Sequence, residues 1–201
     1  MKTDDYLLGQ HFLQRCFSRP FLLLMFGCLT AGIAVGAIAV KLLHLSGDQT
    51  LPPLFLSAVP TVNLGFFQCF SDVLLNIMIL LIATFLMGAT AFGALGIPLL
   101  MFYRGVTVAV GALFLVGDKD ISALGYSALC FTPIWAAASF LTALFAVRAL
   151  IFSKGLARAG FSQSQETVDF RLFLKDFIYF LCFSVPVSVA GGLLAMLYVV
   201  L

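Results

Sequence analysis

Residues 73–117 read VLLNIMILLIATFLMGATAFGALGIPLLMFYRGVTVAVGALFLVG, with Arg104 as the single charged side chain. A hydrocarbon core about 30 Å thick takes roughly 20 apolar residues in helical form. The stretch is therefore too long for one crossing and long enough for two. Gly88, Gly93, Gly96 and Pro98 lie at its middle. Glycine lowers helix propensity, and proline removes a backbone donor and clashes with the preceding turn. The stretch predicts a hairpin of two membrane helices, at 72–91 and 97–117, joined by an elbow.

The rest of the chain agrees. Of its 201 residues, 62% are hydrophobic and 10% charged, against about 25% charged in soluble domains. This composition excludes a soluble fold and leaves room for one membrane bundle without a separate soluble domain. A formal charge of +2 and no basic stripe exclude a nucleic-acid partner. The five cysteines, at 16, 28, 69, 130 and 182, are widely spaced, and no C-x-x-C occurs. Neither a disulfide framework nor a metal site is expected. Phe21–Val40 contains an Ala37-Ile38-Ala39 cleavage-like pattern, yet its length and polar lead exceed those of a signal peptide, so it reads as a retained anchor.

The predicted architecture is all-α, a polytopic bundle of five transmembrane helices with the N-terminus in and the C-terminus out. The spans are 21–43, 72–91, 97–117, 122–147 and 176–200. Residues 1–20 form a cytoplasmic lead in which Tyr6–Arg19 suits an interfacial helix. Residues 44–71 form a long outer loop and 148–175 a cytoplasmic loop. The orientation follows from the positive-inside rule. N-in places Lys2, Arg15, Arg19, Arg104, Arg148, Lys154, Arg158, Arg171 and Lys175 inside, and only Lys41 and Lys119 outside. Residues 117–120 read as a tight outer turn, and Ser162-x-x-Gln165 resembles a capping box before the fifth helix. The run Leu51-Pro-Pro-Leu-Phe-Leu has two readings, an interfacial or re-entrant segment and a plain apolar loop, and both stand.

No catalytic constellation is visible. His11 and His44 fall on opposite sides of the membrane, and no H-E-x-x-H, P-loop, G-x-S-x-G or G-x-G-x-x-G occurs. The chain is expected to be no enzyme and to carry no cofactor or metal. Arg104 has two readings: a partner or ion-pathway residue facing the bundle, and an interfacial anchor that snorkels to headgroups. Its position about two turns into the third span favours the anchor. Asn76, deep in the second span, should find an interhelical partner. Gly32-x-x-x-Gly36, Gly105-x-x-x-Ala109 and Ser139-x-x-x-Ala143 allow close helix approach, within the chain rather than between copies. Pro133 and Pro186 interrupt the last two spans; broken helices occur at transporter sites but also as plain kinks relieved by neighbours such as Thr132 and Ser184. Trp135, far from either interface, reads as packing.

The hairpin resembles the bacterial stage II sporulation protein M family of integral membrane proteins. The resemblance is carried by Phe85-Leu-Met-Gly88, Gly93-Ala-Leu-Gly96-Ile-Pro98 and Phe102-Tyr-Arg104-Gly105 followed by Gly111, with Asn76 near the outer end of the preceding helix. It covers about a quarter of the chain, and the five-span layout is similar. It implies a non-enzymatic scaffold of the bacterial cytoplasmic membrane that organises peptidoglycan-degrading partners during engulfment. Asn76, Gly88, Gly93, Gly96, Pro98, Arg104, Gly105 and Gly111 would hold structural or partner roles. Expected partners are membrane lipids and other membrane or cell-wall-remodelling proteins, with oligomerisation left open. The alternative is a small-solute transporter or permease-like translocation subunit, motivated by Arg104, Pro133, Pro186 and Gly191-Gly192.

Overall fold

In hydrocarbon every backbone N–H and C=O must find its partner within its own segment, so each apolar run becomes a helix. The computed structural model describes residues 19–42, 66–117, 132–161 and 169–200. It contains α1 (Arg19–Leu42), α2 (Phe66–Gly88), α3 (Gly93–Gly117), α4 (Thr132–Phe161) and α5 (Phe170–Val200). All five are long and apolar enough to cross a bilayer, and no strand occurs among the described residues. The chain is an all-helical, multi-pass membrane protein. The expected N-terminal interfacial helix, the 51–56 run, the 117–120 turn beyond Gly117 and the 162–165 capping box lie outside the described residues.

Several helices run further than expected. α2 starts at Phe66 rather than 72, so Cys69 lies within it, buried and with Sγ 3.8 Å from the Gly191 carbonyl. α3 starts at Gly93 rather than 97 and carries Pro98 internally; proline so close to a helix start removes one bond without ending the helix. α4 continues to Phe161 and α5 starts at Phe170, so most of the 148–175 stretch is helical rather than loop. Asp169 caps α5, its Oδ1 accepting from the Arg171 N–H at 3.1 Å.

The helices alternate in direction. Gly32 and Gly36 of α1 meet Gly105 and Ala109 of α3 in the same sequence order, so those two run parallel. α4 runs against α3, with Trp135 beside Arg104 and Ser153 beside Gly93. α5 runs against α2, with Phe173 beside Gly88 and Gly191 beside Val73. α4 is the most enclosed span and packs on α1, α2, α3 and α5, while α1 leans on α3 and α5 on α2.

One end of the bundle gathers Arg19, the α2–α3 elbow, Phe161 and Phe170. The elbow is held by hydrogen bonds from Ala89 N to Phe85 O (2.9 Å) and from Gly93 N to Thr90 O (3.2 Å). Ser153 Oγ of α4 donates to Thr90 O at 2.8 Å and ties the elbow to the centre. Beside it Phe85, Phe145, Phe152 and Phe173 stack face to face, with the Phe152 and Phe173 centroids 4.3 Å apart. This joins α2, α4 and α5 through ring contact, the packing that drives helix association where lipid offers no hydrophobic gain.

Candidate functional site

The charged side chains that the spans bury lie in two places. The first is built around Arg104. From Gly93 it lies 11 residues along α3 (104 − 93), about 16 Å at 1.5 Å per residue, which is close to the middle of a core about 30 Å thick. Its side chain is 2% exposed. The interfacial-anchor reading is therefore corrected: Arg104 faces the bundle interior, and its depth was underestimated because α3 begins four residues earlier than the proline suggested.

Three helices hold the guanidinium. Nη1 donates to Asn76 Oδ1 of α2 at 2.7 Å, the interhelical partner expected for Asn76. The Trp135 ring of α4 lies under it, with Cζ 4.1 Å from the ring centroid, a cation–π geometry that gains strength away from water. Nε and Nη2 are buried without an acceptor. A narrow, closed cleft adjoins the group, walled by Val73, Asn76, Ile77, Ile134, Trp135 and Ala138. Sequence reasoning placed Trp135 in packing alone. The available signal was the combination of the chain's one tryptophan and one lone arginine at similar depth on neighbouring spans.

The second place was not foreseen. Arg148 of α4 and Asp176 of α5 form a buried ion pair, with Arg148 Nε 2.9 Å from Asp176 Oδ2 and Nη2 donating to the same oxygen. It lies 5 residues along α4 from Ser153 (153 − 148), about 7 Å inward from the elbow level.

The remaining candidate residues surround these groups. Gly105 follows Arg104 and presses against the α1 backbone at Leu29 and Ile33, while Gly32 presses on Phe102 and Gly105. Gly111 is buried further along α3. Gly88 closes α2 against Ala149 and Phe173, Gly93 sits against Met87 and Ser153, and Gly96 against the Met87 thioether. Pro98 is half-buried in α3. The structure thus brings Asn76, Arg104 and Gly105 to one level and leaves Gly88, Gly93, Gly96 and Pro98 at the elbow end. Thr84, Thr107 and Ser188 return their hydroxyls to their own helices, at Leu80 O, Arg104 O and Ser184 O, which satisfies them without water. Among the described residues no three His, Cys, Asp or Glu side chains gather as metal ligands do. Comparison with family models, with curated proteins and with solved structures returns no match for this chain.

Proposed function

We propose that the chain is a non-enzymatic scaffold of a bacterial cytoplasmic membrane that holds cell-wall-remodelling partners, of the kind used during engulfment in sporulation. The hairpin resemblance motivates the reading. The observation that carries it is the cross-linking of the interior: Arg104 is tied to Asn76 and Trp135, and Arg148 to Asp176. Such ties make a stiff bundle with a fixed outer surface, which suits a docking platform. The elbow end is taken as cytoplasmic because Arg19, Lys154, Arg158, Arg171 and Lys175 gather there, against Lys41 at the other end among the described residues. Gentle-detergent purification of the tagged chain from native membranes tests the reading. Recovery of a peptidoglycan hydrolase or its membrane anchor supports it, and recovery of the chain alone contradicts it.

A second reading, a translocation subunit for a small solute, is favoured by the buried cation beside a cleft. Flux into proteoliposomes that is lost in Arg104→Ala would establish it over the scaffold.

A further inference from the structure

Arg104 is held as a receptor is held. One nitrogen, Nη1, is fixed by Asn76, and the guanidinium plane rests on Trp135. The two nitrogens without an acceptor, Nε and Nη2, form the side-on edge of the guanidinium. That edge presents two parallel N–H bonds, the geometry that grips both oxygens of a carboxylate. The same chain uses this edge elsewhere, since Nε and Nη2 of Arg148 both donate to Asp176. No described carboxylate serves Arg104. Asp176 is taken by Arg148, Asp169 accepts from Arg171 N, and Asp72 is exposed one turn beyond Asn76. A buried guanidinium without counter-charge is costly, and an anion that also fills its hydrogen bonds removes both deficits.

We infer that Arg104, Asn76 and Trp135 form a binding site at mid-membrane depth for a small planar monoanion with two oxygens, of the carboxylate class. Size follows from the cleft. Its walls leave no room for a water-sized sphere, so they must part to admit even formate, the smallest carboxylate. Access requires rotamer shifts of the apolar walls Val73, Ile77 and Ile134. The full enclosure of Arg104, 2% exposed, favours a free ion over the acidic side chain of a partner helix. The inference stands apart from the scaffold reading, because an anion at this position neutralises the interior whether or not anything docks outside.

Trp135 is the chain's only tryptophan and its ring touches the guanidinium, so its emission reports occupancy directly. The purified full chain in nanodiscs is titrated with sodium formate while sodium gluconate, too bulky for the cleft, keeps ionic strength constant. Formate is expected to give a saturable change in Trp135 emission and a concentration-dependent rise in Tm. Chloride, a single atom that meets the two parallel N–H bonds only at bent angles, should bind about tenfold more weakly. Arg104→Gln should abolish the response, and Arg104→Lys, which keeps the charge without the fork, should lose the preference for formate over chloride. A linear drift with formate, an equal response to chloride, or an unchanged curve in Arg104→Gln overturns the inference. Should Arg104→Gln fail to fold, the formate-against-chloride comparison on the wild-type chain decides alone. A response seen only when an acidic membrane peptide is added in place of formate assigns the edge to a partner's carboxylate and likewise overturns it.

Discussion

Arg104 and Asn76 show how one hydrogen bond sets the chemistry of a membrane interior. Removing one member of a buried pair strands the other, whereas removing both leaves an apolar wall. Asn76→Leu is therefore expected to destabilise the bundle by about 1–3 kcal/mol. The double variant Asn76→Leu with Arg104→Met should recover most of that loss. Reversible unfolding in mixed detergent micelles measures both, and a double variant weaker than Asn76→Leu alone would refute the pairing. Arg148 and Asp176 give a sharper case: Asp176→Asn leaves a buried guanidinium without its counter-charge and should cost about 3–5 kcal/mol in the same assay. The sequence foretold the first pair in half and the second not at all. Asn76 deep in a span demanded a partner, but Arg104 was read as shallow. Arg148 and Asp176 are 28 residues apart, and each charge, taken alone, marks the end of an apolar run. Only their mutual neutralisation lets both lie inside, and that is a property of the pair in space.

At the scale of the element, the α1–α3 seam decides how closely two helices pack. A Cβ at Gly32 would collide with the Phe102 carbonyl, and one at Gly105 with the Leu29 carbonyl. Both are backbone atoms that yield little. Gly27, on the same helix, has nothing within 4 Å. Gly32→Ala and Gly105→Ala should each cost about 1–3 kcal/mol through overpacking, while Gly27→Ala should be neutral or slightly stabilising through helix propensity. Equal effects at Gly27 and Gly32 would remove the seam from the account. This seam was legible, since small residues four apart on two spans are what close approach requires. The elbow was legible too, although its edges were not. Pro98 looked like a boundary, yet the helix already starts at Gly93 and continues through it, losing the one bond that a residue-98 N–H would make to the carbonyl four residues earlier. Helix ends past Arg148 and before Asp176 were hidden for the reason given above.

The whole molecule is an alternating bundle in which α4 is enclosed and the others carry the lipid-facing surface, including Leu23, Ile79, Leu86 and Met196. Its two ends differ in charge among the described residues, which is the basis of the proposed orientation. Cys69 is a poor reporter of sidedness because it is buried inside α2. Leu42, 74% exposed at the end of α1, and Gly160, exposed near the end of α4, are better placed at opposite ends. The most direct test introduces Leu42→Cys or Gly160→Cys singly into a cysteine-free chain and treats intact cells with an impermeant maleimide. The account predicts labelling at Leu42→Cys and protection of Gly160→Cys until the membrane is permeabilised. Labelling of Gly160→Cys in intact cells with protection of Leu42→Cys would invert the bundle, and labelling of both would contradict the alternating arrangement itself.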